Sequence, residues 1–220
     1  MGLFQPDAGC GEFAQGYGVK QAIDRIKAAL AVHHGPGRLL VAIAGPPGAG
    51  KSTLAEGLAG QIAGAAVVPM DGFHLDNGIL EARSLLARKG APETFDVAGF
   101  GALVARLQAE DEVVIPVFDR ARDLAVAGAR VIGPEARVLL VEGNYLLLNE
   151  APWRGLARFW DVTIAIEVPL AVLEARLTQR WRDHGLSEAA AVARAMGNDI
   201  PNARRVVGGS AGADVTIRQG

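Results

Sequence analysis

The sequence predicts an α/β fold, layered α/β/α, on a five-stranded parallel sheet with a small β-hairpin insertion and a helical lid. Three observations predict it. Short apolar runs of buried-strand type alternate along the chain with segments whose apolar residues recur at helical spacing. The first such run leads directly into GPPGAGKST, a glycine-rich turn that opens a helix. At 220 residues, half of them hydrophobic, the chain is long enough for one domain with a full core.

Each element follows in order. Residues 1–16, MGLFQPDAGCGEF and onward, read as a flexible tail, and 17–220 as the single domain. Val19 to Val32 carries Ile23, Ile26 and Leu30 on one helical face, and Gly35-Pro36-Gly37 ends that helix. Leu39 to Ala44 is a strand; Leu54, Leu58 and Ile62 then mark a helix. Ala65 to Met70 forms a second strand, and Ala98 to Ala109 a helix with Phe100, Leu103, Val104 and Leu107 on one face. Between about 111 and 133, two β-rich pieces around Asp119 to Asp123 form a hairpin. Val138 to Val141 and Val162 to Ile166 are two more buried strands. A helix then runs from Pro169 towards Trp181, Ser187 caps a helix over Glu188 to Met196, and Ala213 to Ile217 is the last strand.

Gly45, Gly50, Lys51 and Ser52 fit the phosphate-loop pattern G-x-x-x-x-G-K-[ST]. Its glycines let backbone N–H groups curl around an anion, the lysine reaches the outer phosphates, and the serine hydroxyl ligates Mg²⁺. With 28 glycines, 4 lysines and 9 serines plus threonines, chance supplies only roughly 0.003 such matches. Gly45, Pro46, Pro47, Gly48, Ala49, Gly50, Lys51, Ser52 and Thr53 are therefore expected to cradle a nucleoside triphosphate, with ATP and Mg²⁺ as cofactors.

In a parallel sheet the ligand lies beyond the carboxyl ends of the strands, so the residues that follow each strand matter most. Asp71, within PMDGFHLDN, could accept a proton from a substrate hydroxyl, although an aspartate capping the next turn would look the same. Glu142 closes Val138 to Val141, where an acidic partner for the metal or its water belongs. Arg176 and Arg180, four apart, share a helix face in RLTQRWRDHG; the segment 176–187 reads as a lid, or as a solvated helix end. Arg88, Lys89 and Glu93 form an exposed loop or one wall of an acceptor pocket, and His74 follows Asp71 closely.

A net charge of −2 and the lack of any apolar run of spanning length argue against nucleic-acid binding and membrane insertion. Cys10, the single cysteine, excludes an internal disulfide, and the N-terminus carries no secretory pattern, so a cytoplasmic location is expected. The expected partner is a small-molecule acceptor, with room for a homodimer.

Together GPPGAGKST, MDGFH, RKGAPETFD, IPVFDR, VEGNYLLL, RLTQRWRDHG and GNDIPNA resemble the phosphoribulokinase, uridine kinase and bacterial pantothenate kinase group of P-loop kinases. The match is nearest to a nucleoside- or nucleotide-kinase-like subgroup, some labelled kinases of a fructose transport system. The resemblance implies the P-loop NTPase fold and transfer of a γ-phosphate to a hydroxyl of a sugar, nucleoside or pantothenate-like acceptor. It implies Asp71 as catalytic base, Lys51 and Ser52 on phosphates and metal, Glu142 near metal or acceptor, and Arg180 in the lid. Arg176 would help hold the nucleotide; Asn198 and Asn202 would flank a turn held by Pro201 near the adenine. His74, Arg88, Glu93, Asp119, Arg120 and Asn144 would line the acceptor pocket with Asp71 and Glu142. A regulatory P-loop NTPase without a small-molecule acceptor is the competing expectation. Against a GTPase switch, no N-K-x-D follows a later strand.

Overall fold

The computed structural model describes residues 16–35 and 37–220; Cys10 and nearly all of the expected N-terminal tail lie outside them. The elements are α1 (Tyr17–Val32), β1 (Leu39–Ala44), α2 (Lys51–Ala59), β2 (Ala65–Pro69), α3 (Asn77–Ala82) and α4 (Val97–Ala109). There follow β3 (Val113–Asp119), β4 (Leu124–Ile132), β5 (Val138–Gly143), β6 (Val162–Glu167) and α5 (Leu170–Asp183). The chain closes with α6 (Glu188–Arg194), a π-helical turn (Ala195–Asp199), α7 (Ile200–Gly209) and β7 (Val215–Arg218).

The main sheet has the order β2-β5-β1-β6-β7, all neighbours parallel, while β3 and β4 pair antiparallel as a separate hairpin. β1 is buried at all six positions, as a central strand covered on both faces must be. Its residues alternate between two cores. Leu39, Val41 and Ile43 face Ile26 of α1, Leu54 and Leu58 of α2, and Leu173 and Leu177 of α5. Leu40, Ala42 and Ala44 face Phe100, Leu103 and Leu107 of α4, with Tyr145 and Trp153. Each such large side chain, fully buried, contributes about 1.5–3 kcal/mol of transfer free energy.

Arg38 locks the amino-terminal end of β1. It is buried and donates to the carbonyls of Ala136 (2.9 Å), Leu107 (2.9 Å), Glu110 (2.7 Å) and Gly133 (3.1 Å), and to that of Asp111. One planar guanidinium thus gathers the end of α4 and the turn after β4 beneath the sheet.

Several boundaries differ from the sequence expectation. The second strand stops at Pro69, and Met70–Phe73 is a 3₁₀ turn, because Gly72 lies against the hairpin, where a Cβ would meet Pro116 O at 2.6 Å. The helix expected to reach Met196 ends at Arg194, where i→i+5 bonding takes over. Pro201 holds no turn: it lies at the start of α7, directly after the π-helical turn and with helical backbone on both sides. Helix α3 has too few apolar residues to show a periodicity, and its cap, Asp76 accepting from Gly78 N at 2.8 Å, is its only clear signal.

Candidate active site

The phosphate loop joins β1 to α2. Gly48 and Gly50 both have φ of 79°, a left-handed conformation that a side chain would strain, and this turns the backbone around the space before α2. Lys51 is only 9% exposed and donates from Nζ to Pro46 O at 3.0 Å. Burial pushes its ammonium below the usual lysine range, while Glu142 and Asp71 pull it back up. Register places Glu142 beside Ile43 of β1 and Pro69 of β2, at the carboxyl end of the sheet's centre. It is 7% exposed and accepts from Ser52 Oγ at 3.1 Å. Burial, then the charge of Asp71, raises its carboxyl above the ordinary range, against the opposing pull of Lys51. The Ser52 hydroxyl and the Glu142 carboxylate are hard oxygen donors suited to Mg²⁺. Among the described residues no group of three or more His, Cys, Asp or Glu forms a metal cluster.

Asp71 reaches the same crevice from the 3₁₀ turn after β2. Its Oδ2 accepts from Arg120 Nη2 at 2.8 Å, Arg120 coming from the hairpin tip. His74 Nδ1 donates to Asp71 O at 2.8 Å, and its ring lies 4.1 Å from Phe95 and 4.5 Å from Phe118 between centroids. Burial holds the imidazole below its usual pKa, favouring the neutral ring. Gly143 allows β5 to lie against the Asp71 turn, since a Cβ there would meet Met70 Cβ at 2.6 Å.

Asp119 does not join Asp71 and Arg120. It accepts from Arg122 Nε at 2.7 Å and from Arg122 N at 3.0 Å, a local turn at the hairpin tip. Arg88 and Glu93 pair at 3.2 Å, and Glu93 also meets Arg205 (3.0 Å), which pairs with Glu150 at 2.7 Å. Asn144 stands half-buried just after the strand end. Lys89 bonds Asn77 Oδ1 (2.7 Å) and Asp123 O (2.6 Å) and lies 5.2 Å over Phe118. Tyr145 donates to Gly90 O, so this loop is tied down from both sides.

The two lid arginines part company. Arg176 Nη1 donates to Gly48 O (3.3 Å) and to Gln219 Oε1 (3.1 Å), while Gln219 Nε2 donates to Ala49 O (3.2 Å). Arg180 bonds Asp199 instead. Asn202 is buried, 2% exposed, its amide donating to Asn198 Oδ1. The cavity beside the phosphate loop lies elsewhere: about 490 Å³, running from Gly45 and Pro46 between β6, β7 and α7, past Ala165, Val206, Thr216 and Gln219. Sequence reasoning missed Gln219, Asp199 and Arg205; only Asp199 carried a signal, lying inside the GNDIPNA stretch.

No protein-family model matches the chain. An uncharacterised Escherichia coli protein, YggC, is 38% identical over 186 residues, covering 82% of this chain and 77% of its own length. A Schizosaccharomyces pombe protein described as a "putative uridine kinase" is 34% identical, with 83% of each chain covered. A crystal structure from Silicibacter, of a "putative fructose transport system kinase", is 54% identical and covers 91% of this chain and 99% of its own, at a TM-score of 0.86. With the loop, the strand-end carboxylates and the parallel sheet in place, and with pantothenate kinases among its more distant relatives and the fold shared with phosphoribulokinase, the chain belongs to the P-loop kinases of the uridine kinase group, phosphotransferases with an alcohol group as acceptor.

Proposed function

We propose that the protein transfers the γ-phosphate of ATP to a hydroxyl of a small polar acceptor: a sugar, a nucleoside or a pantothenate-like alcohol. The supporting observation is that Asp71, Lys51, Ser52 and Glu142 converge on one crevice from three strand ends, close enough for Asp71 and Glu142 both to act on Lys51. Asp71 takes the proton of the acceptor hydroxyl as that oxygen bonds the γ-phosphorus, and the bond to the β-phosphate oxygen breaks to release ADP. Lys51 and the loop N–H groups hold the β- and γ-phosphates, and Arg176 closes the loop from α5. Mg²⁺, held by Ser52 and by Glu142 directly or through water, would supply neutralisation of phosphate charge. The cavity that begins at Gly45 and Pro46, adjoining the phosphate loop, supports a nucleoside end bound there.

His74, Phe118, Lys89 and Arg120 lie together beside Asp71, where Lys89 and Arg120 would offer hydrogen-bond donors to the acceptor. Fructose heads the candidates because one relative's name includes it. The test is ADP release by purified protein across fructose, other sugars, nucleosides, pantothenate and ribulose 5-phosphate. One acceptor that accelerates release many-fold supports the proposal; equal release with none favours a regulatory NTPase.

A further inference from the structure

We infer that Asp199 is a positioning residue: it aims Arg180 at the γ-phosphate from a π-helical turn pinned to the acceptor loop. A π turn carries one extra residue, and here the insertion turns two consecutive side chains inward. Asn198 and Asp199 are 3% and 8% exposed. Asn198 Nδ2 donates to Lys89 O at 2.9 Å, which fixes the turn to the loop beside Asp71. Asp199 Oδ2 accepts from Trp181 Nε1 at 2.6 Å and from Arg180 Nη2 at 3.2 Å, both on α5. The Trp181 ring is flanked by Arg180 at 5.4 Å and Arg194 at 5.1 Å, and Arg194 bonds Ala87 O at 3.2 Å.

The consequence is geometric. A guanidinium has five N–H donors in a rigid fork, and Asp199 occupies one of those on Arg180. Arg176, one turn earlier on the same face of α5, bonds Gly48 O of the phosphate loop, so Arg180 stands one helical turn from the phosphate site. A half-exposed arginine otherwise samples many rotamers, and fixing it beforehand lowers the entropic cost of a phosphate contact. Asp199 acts only through Arg180 and touches no reacting atom.

The inference rests on the phosphotransferase reading, and its test needs no acceptor, so a wrong acceptor assignment leaves the result standing. Calorimetry on the full chain measures Kd for Mg²⁺·AMP-PNP and Mg²⁺·ADP in wild type, Asp199→Asn, Arg180→Ala and the double variant. Asp199→Asn keeps an acceptor for Trp181 and removes the charge that orients Arg180. The expected result is about ten-fold weaker AMP-PNP binding with ADP within two-fold, and no further loss in the Arg180→Ala background. If Asp199→Asn does not fold, Trp181→Phe removes the indole donor that fixes the carboxylate and carries the same expectation. Equal losses for both nucleotides, an additive loss in the double variant, or tighter AMP-PNP binding overturns the inference. A wild type that binds neither nucleotide overturns the triphosphate reading itself.

Discussion

Replacing Asp71 by asparagine separates chemistry from structure. A general base contributes about 10²–10⁴ in rate, which at about 1.36 kcal/mol per decade is about 2.7–5.4 kcal/mol of barrier. The structural loss is far smaller. The Asp71–Arg120 pair is open to solvent, with side chains 24% and 69% exposed, so it contributes at most about 1 kcal/mol to folding. Asparagine keeps an oxygen for Arg120 Nη2, and His74 bonds the main-chain carbonyl, which the substitution leaves alone. For a chain of this size, about 1 kcal/mol moves Tm by about 2–4 °C. Asp71 carries negative charge beside the phosphate site, so its loss leaves nucleotide affinity equal or slightly better. A coupled ADP assay with a working acceptor, plus calorimetric nucleotide Kd, should therefore show kcat down at least 100-fold with Kd within a few-fold. Turnover within three-fold of wild type removes Asp71 from the mechanism.

Lys51→Ala should weaken nucleotide binding and rate together, since Lys51 serves ground state and transition state; normal ATP binding and turnover would remove the phosphate-loop reading. Ala165→Leu fills the cavity beside Gly45 and Pro46 and should weaken ATP at least five-fold while sparing inorganic tripolyphosphate, by competition binding; equal effects would move the nucleoside elsewhere. Arg38→Ala should cost more than about 3 kcal/mol in urea unfolding, because it strips a charged donor from five main-chain carbonyls at once; a cost below about 1 kcal/mol contradicts the role of Arg38 as a lock. His74 has a folded pKa below its unfolded value, so it contributes stability that is present above pH about 6.5 and is lost as pH falls below that. His74→Gln should flatten this acid limb in pH-dependent unfolding, and an unchanged limb contradicts the neutral, stacked assignment.

Much of the fold was legible because its signals are local. β1 and the loop announce themselves through six consecutive apolar residues followed by glycines, two of which adopt a φ of 79° that strains other residues. Asp71 and Glu142 could be picked out because strand ends in a parallel sheet converge, a rule of topology that needs no coordinates. The pairings across the crevice were not legible. Arg205 meets Glu93 across 112 positions, and no pattern in either stretch points to the other. The hairpin motif named both Asp119 and Arg120, yet only the structure shows that the arginine turns to Asp71 while the aspartate caps its own turn. GNDIPNA drew attention to its asparagines, which are buried; a π turn has no sequence period, so the inward aim of Asp199 stayed hidden.

The central claim is that the γ-phosphate leaves ATP for an acceptor oxygen rather than for water. Phosphorus NMR or mass spectrometry of a reaction run to completion with the best acceptor of the panel measures this directly. The expected result is one phosphorylated acceptor per ADP, with wild-type yield lost in Asp71→Asn. Stoichiometric inorganic phosphate with unmodified acceptor would contradict it.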